Sequence, residues 1–190
     1  KNTPLAKRFS DEFYRGFHFS KEIDRGFTEI HTIQDENNHK INWYRIENHE
    51  DIIKIELNKT IPPCTKTTIN LEYTIKIPNE QFTKYGFDSS GNLSLKNWYL
   101  SPSRYENKQF VIQSNENLDD IPNAASDFEI ITEIPNNYFI FSSLQEISNE
   151  VKGNISKYMV KGKNYQEIVL YLSKKEDFVT YKNELIEVKC

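Results

Sequence analysis

Lys66-Thr67-Thr68-Ile69-Asn70-Leu71-Glu72-Tyr73-Thr74-Ile75-Lys76-Ile77 is the stretch that decides the fold class. Ile69, Leu71, Tyr73, Ile75 and Ile77 alternate with Thr68, Asn70, Glu72, Thr74 and Lys76. A period of two places the first set on one face of a strand and the second on the other, as in an antiparallel sheet with one wet side. The alternation therefore predicts that Ile69, Leu71, Tyr73 and Ile75 are mostly buried and that Asn70 and Glu72 are exposed. Pro62-Pro63 and Pro78 bracket the strand and cannot sit in its interior.

Working outward, strand signals recur on both sides. Residues 27–33 and 40–46 flank Asp35-Glu36-Asn37-Asn38, a polar cluster that reads as a hairpin turn. Residues 51–57 follow, with Ile53, Ile55 and Leu57 on one face. Asp88-Ser89-Ser90-Gly91 is a loop ahead of the aromatic pair Trp98-Tyr99. Residues 109–113 and 127–134 are further strands, and residues 138–142 are expected to pair back on 127–134 after the Pro135-Asn136-Asn137 corner. Lys161-Gly162-Lys163-Asn164 reads as a tight turn between strands at 157–160 and 165–172, and residues 184–189 add a last strand. The single helix expected is Asp11 to Phe19, with Ser10 as cap, Asp11 and Glu12 in its first turn, and Phe13 and Phe17 on one face. Many strands at short spacing predict an all-β chain: an antiparallel β-sandwich or saddle-like curved sheets with little helix.

Composition agrees. At 190 residues the chain suits one β-rich domain over residues 1–190, or a piece of a longer protein. Twelve Phe and eleven Tyr supply far more burial than a disordered segment offers. A formal charge of −4 with no basic stripe argues against nucleic acid as a partner, and no apolar run is long enough to span a bilayer. Cys64 and Cys190 lie far apart without a C-x-x-C spacing, so they are either two free thiols or one long-range disulfide.

No set of residues amounts to an active site. His18, His31, His39 and His49 form no H-E-x-x-H, the helical pair that sets two imidazoles and a general base on one zinc. His49-Glu50-Asp51-Ile52-Ile53 begins like that motif, but Ile53 stands in the second histidine's place. His18 and His31 could meet in space, yet a pair without a third ligand reads as packing or surface solvation. Glu22/Asp24, Asp119/Asp120 and Glu129/Glu133 are paired carboxylates of the sort a glycosidase uses, though on strands such pairs are usually a solvated face. Asn115-Glu116-Asn117-Leu118-Asp119-Asp120 carries oxygen ligands enough for calcium but lacks the EF-hand pattern. No G-x-S-x-G elbow and no phosphate-binding glycine loop occurs. Trp43, Tyr44, Trp98, Tyr99, Tyr105 and Phe110 are either interior packing or an exposed platform for sugar or peptide. The residues themselves thus assign no catalytic, cofactor-binding or metal position.

Several segments, taken in order, resemble the N-terminal β-domain of aminopeptidase N-like zinc metallopeptidases (gluzincins). They are Pro4-Leu5-Ala6-Lys7-Arg8-Phe9 with Arg25-Gly26-Phe27-Thr28, in a form associated with flavobacterial members, and residues 59–73 with Ile75-Lys76-Ile77-Pro78. Asn97-Trp98-Tyr99, residues 127–138 and Lys161-Gly162-Lys163-Asn164-Tyr165 continue the series. Leu100 stands where the family carries Pro, with Pro102 two positions later. The family's ligand for the substrate amine has no aligned counterpart, so the resemblance assigns no catalytic or substrate-cleft residue. It implies a non-catalytic domain that packs on a downstream catalytic domain and walls the substrate cleft. The zinc would lie in that downstream domain, the parent's substrate would be a peptide, and the setting would be periplasmic or cell-envelope. It also implies strands upstream of Pro4, and hence an exposed sheet edge through which the isolated chain forms a homodimer. The alternatives are a stand-alone β-sandwich module for carbohydrate or protein, and an independent hydrolase resting on the loop carboxylates.

Overall fold

Thr3 caps the first helix, and a computed structural model describes residues 3–117, 123–175 and 179–189. Strands account for 47% of the chain and helix for 8%, every mapped strand pair is antiparallel, and the fold is all-β. Two compact units emerge: Lys1–Gly86 with Trp98–Ala124, and Phe87–Asn97 with Ala125–Cys190.

The first unit begins with α1 (Pro4–Asp11). The Thr3 hydroxyl accepts the Ala6 amide, and Pro4 at the first helical position loses no bond by lacking an N–H. The expected helix over Asp11 to Phe19 is not formed. Its place is taken by a stop: Phe13 adopts a left-handed φ of 62°, the Phe13 amide bonds Ser10 O, and the Tyr14 amide bonds Phe9 O at 2.8 Å. Those two bonds, with the Phe9 and Tyr14 rings 5.4 Å apart, make a complete Schellman motif. Phe13 occupies the position that glycine normally fills. Only the short α2 (Gly16–Phe19) follows.

Next come β1 (Phe27–Asp35), β2 (Asn42–Ile46), β3 (His49–Glu56) and β4 (Ile69–Lys76). The expected hairpin of residues 27–33 with 40–46 is replaced by a longer-range pairing. The turn at Asp35 to His39 does form, with Asn38 at φ 63°. Beyond a single bridge at Gln34 and Lys40 the arms part; β1 pairs with β4, and β2 pairs with β3. Ile33 and Ile41, both 1% exposed, fill the space where the arms diverge. Because β1 and β4 form a sheet of only two strands, the alternating face of β4 is half-covered. Ile69, Tyr73 and Ile75 are half-buried, Asn70 and Glu72 are exposed as expected, but Leu71 is 37% exposed rather than buried. The unit's last strand pair is a small hairpin, β7 (Tyr105–Glu106) with β8 (Gln109–Phe110), which follows β5 (Gly86–Phe87) and β6 (Leu93–Lys96) along the chain.

The second unit holds two larger sheets and a terminal hairpin. Its strands are β9 (Ser126–Pro135), β10 (Phe139–Ser142), β11 (Gln145–Lys152), β12 (Ile155–Tyr165) and β13 (Val169–Ser173). A terminal hairpin of β14 (Thr180–Lys182) and β15 (Glu187–Lys189) follows. One sheet runs β11-β12-β9 and the other β10-β13-β6-β5. Residues 138–142 were expected to pair back on 127–134; instead β10 pairs with β13, and β9 takes β12. The Pro135-Asn136-Asn137 corner is held from outside its own strands, with the Asn136 amide on Asn154 O and its side-chain amide on Gly153 O.

The turn expected at Lys161-Gly162-Lys163-Asn164 is continuous strand. β12 runs straight through it, with a bulge between Gly162 and Tyr165 where Asn164 has φ 62°. Gly162 is there for space, not for a turn: a Cβ on it would fall 2.5 Å from Leu144 Cδ2 and 2.7 Å from the Tyr165 ring. Along β12, Ser156, Tyr158 and Val160 are buried while the alternate residues face out. Leu170 and Leu172 of β13, with Ile140, Leu144 and Ile168, complete this core. On the outer face of the sheet, Lys157–Glu133 at 3.1 Å and Lys161–Glu129 at 2.8 Å flank Met159 and Ile131.

Two outcomes follow from these placements. Phe13→Gly removes a side chain that strains a left-handed cap, and it should stabilise the chain by about 1 kcal/mol in urea titration. A loss of stability would show that the Phe13 ring contributes more in its place than its backbone strain costs. Ile33→Ala should cost about 2–5 kcal/mol, whereas Leu71→Ala, its less covered partner across the β1–β4 ladder, should cost less than half as much. Equal losses would mean that β4 is covered in solution.

Candidate functional site

Residues 111–117 have no regular secondary structure, and their position depends on side chains from earlier elements. The β7–β8 ladder extends as far as the Val111 amide on Arg104 O and the Ser103 hydroxyl on Val111 O. The strand expected over 109–113 is accordingly limited to Gln109–Phe110. Beyond it three clamps take over. Ser114 Oγ and His49 Nδ1 share a hydrogen bond of 2.5 Å, the Asn115 amide donates to Asp51 Oδ2 at 2.7 Å, and Arg8 Nη1 donates to Glu116 O at 2.9 Å. Two anchors come from β3 and one from α1, so the strap joins elements distant in sequence.

Between strap and anchors lies a cavity of ≈ 480 Å³. Arg8, His49, Ser114 and Glu116 line it together with Ile112 and the amide side chains of Gln113 and Asn117. The Arg8 guanidinium is oriented by Glu12 Oε1 at 3.0 Å as well as by Glu116 O. Ser114 is 7% exposed, and in the tautomer with Nε2 protonated its hydroxyl donates to His49 Nδ1. Asn115 Oδ1, buried in the same strap, has no hydrogen-bond partner among the described residues.

A Ser–His contact invites a nucleophilic reading, but its arrangement is different from a triad's. The imidazole meets the hydroxyl through Nδ1, and among the described residues no carboxylate is hydrogen-bonded to its other nitrogen. A hydroxyl this deeply buried acts as a tether. Sequence reasoning passed over Ser114 because the pair is separated by sixty-five positions and carries no local signature.

The other residues considered from sequence are dispersed. His31 Nε2 meets Thr74 Oγ1 at 2.7 Å, His39 sits on Asp35 at 3.3 Å, and His18 packs edge-on against Phe19. His18 and His31 therefore have separate partners, and among the described residues no three His, Cys, Asp or Glu side chains converge as a metal site. The backbone amide of His39, and then that of Asn37, holds the Asp35 carboxyl below the usual carboxylate range. The stabilisation this gives the turn is present at neutral pH and lost as acid titrates Asp35 through its lowered value.

Glu22 and Asp24 lie in a single 3-10 turn, whereas Glu129 and Glu133 are each paired with a lysine on the outer sheet face. Neither arrangement leaves two carboxylates facing one another across a cleft. Asp119 and Asp120 lie outside the described residues, as does Cys190, and Cys64 is a free, exposed thiol. Trp43, Trp98 and Tyr99 are half-buried, and Tyr44 lies exposed beneath Lys54 Nζ. Tyr105 and Phe110, 60% and 61% exposed, form an edge-to-face pair at 5.0 Å on their hairpin.

No protein-family model, no curated protein and no solved structure matches this chain. Among the described residues no helix is long and apolar enough to cross a membrane.

The strap gives a direct test. His49→Ala removes one clamp worth about 1 kcal/mol, so amide hydrogen exchange over residues 111–117 should accelerate roughly fivefold while exchange in β12 stays unchanged. Unchanged exchange in the strap would mean that the Ser114–His49 bond holds nothing in place.

Proposed function

We propose that this chain is a non-catalytic β-domain of an aminopeptidase N-like zinc metallopeptidase, packing on that enzyme's catalytic domain and walling its substrate cleft. The order of the family-like segments along the sequence supports the reading, and so does the antiparallel all-β architecture of the chain as a whole. The observation that carries it is the uncovered apolar surface. Phe13, Phe19, Ile23 and Phe27 are each more than half exposed within one short stretch of chain. A domain that packs against a neighbour leaves such side chains bare when it stands alone.

On this reading zinc and the peptide substrate belong to the parent enzyme's catalytic domain, and the described residues of this chain offer zinc no site of their own. The periplasm or cell envelope is the setting the reading carries with it. The exposed Tyr105–Phe110 pair favours a second reading, a free-standing module that holds a sugar or a peptide against those rings.

The isolated chain should hold no stoichiometric zinc and should not cleave aminoacyl chromogenic substrates. When it is expressed together with the protein encoded downstream, residues 13–27 should gain protection from hydrogen exchange. One tightly held zinc per isolated chain by metal analysis, or a reading frame that stops soon after Cys190, would overturn the proposal.

A further inference from the structure

β4 is an open edge of the first unit. It pairs with β1 on one side; on the other no strand lies, and no backbone amide or carbonyl of the described residues bonds to it. The far side of β1 is partly taken, since Arg45 Nη2 donates to Thr28 O at 3.3 Å and the Ile41 amide donates to Ile33 O at 2.9 Å. An eight-residue edge left bare in this way accepts another strand unless its side chains forbid it. The other long edge strands carry such a prohibition. β3 sets Glu50, Asp51 and Glu56 against Lys54 alone, β9 has Asp127, Glu129 and Glu133 with no lysine or arginine, and β11 is broken by its register slip. β4 carries one acid and one base, Glu72 and Lys76, placed symmetrically about Thr74.

We infer that β4 pairs with β4 of a second copy of this chain, antiparallel and two-fold symmetric about Thr74. In that register the opposed pairs are of the kinds that hold antiparallel ladders together. Thr74 meets its own counterpart, Glu72 of each copy meets Lys76 of the other, and Tyr73 of each meets Ile75 of the other. Leu71, 37% exposed in the single chain, gains Ile77 of the second copy as an apolar neighbour. The apolar face of one copy continues into that of the other, and β1-β4-β4-β1 becomes one four-stranded sheet. A slip of one residue sets the apolar face beside the polar one, and a dyad on Glu72 or on Lys76 sets like charges opposite. One short ladder makes a small interface, so the dimer is weak, with a Kd of about 10–100 μM. A homodimer through an exposed edge is what the family resemblance implies; the strand and the register come from β4 itself.

The test is sedimentation equilibrium of the full chain from about 5 μM to about 500 μM, over which the mass should rise from monomer towards dimer. Glu72→Lys and Lys76→Glu each turn both opposite-charge pairs into like-charge pairs, and each should weaken association about tenfold. The exchange Glu72→Lys with Lys76→Glu should restore it. Residues four apart along one strand do not touch within a copy, so only a ladder that opposes 72 to 76 responds in that way. Register is read independently by cross-linking in a chain carrying Cys64→Ser and Cys190→Ser. Thr74→Cys should form a disulfide between copies on mild oxidation, and Asn70→Cys, opposite Pro78 of the second copy, should not. A monomer at about 500 μM, well above that Kd, would overturn the proposal. So would a dimer that Glu72→Lys leaves intact, that the double exchange fails to restore, or that cross-links equally at 70 and 74.

Discussion

The backbone ladder between β1 and β4 joins residues 27–35 to residues 69–76, and the first unit depends on that closure. Everything between them, the β2–β3 hairpin included, is an excursion from this two-stranded frame. The strap is held by His49 and Asp51, which sit on that excursion, so the cavity exists only if the frame closes. Fully buried apolar side chains are few here, chiefly Ala6, Ile33 and Ile41 among the described residues. Backbone pairing therefore carries a share of the stability that a larger core would otherwise supply.

The second unit solves the same problem with one long strand. β12 is paired on both sides, and its inward residues Ser156, Tyr158 and Val160 alternate without interruption until the bulge at Asn164. Gly162 lies on that inward face, and Leu144 and the Tyr165 ring occupy the volume its side chain would need. A glycine flanked by lysines and an asparagine has the composition of a turn, yet here it marks close packing. Its missing side chain is the common factor in both uses.

Sequence periodicity identified what depends on neighbours one or two residues away. The strands at 27–33, 51–57, 66–77 and 127–134 are all present, because alternation is a local property with a local cause. Partner choice was not legible in the same way. Whether residues 40–46 return on 27–33 or pair with 49–56 is decided by burial of Ile33 and Ile41, which no local pattern encodes. The helix stop at Phe13 was missed because the rule looks for glycine, and the motif's other parts, Phe9 and Tyr14, are read only once the chain is seen to turn. The Ser114–His49 contact had no signal at all, being made by residues that belong to no shared motif.

β11 has consequences for how this protein meets others of its own kind. All eight of its residues, Gln145–Lys152, are exposed, and it has a neighbour on one side only. A bare strand of that length is a template for sticking. Here the template is spoiled: the register slips between Glu146 and Ser148, and Glu146, Glu150 and Lys152 put charge along the open edge. A bulge bends the row of amides out of line, and an incoming strand would have to strip water from those charges. The feature contributes little to the fold's stability and much to its solubility, since it discourages the growth of one sheet into many.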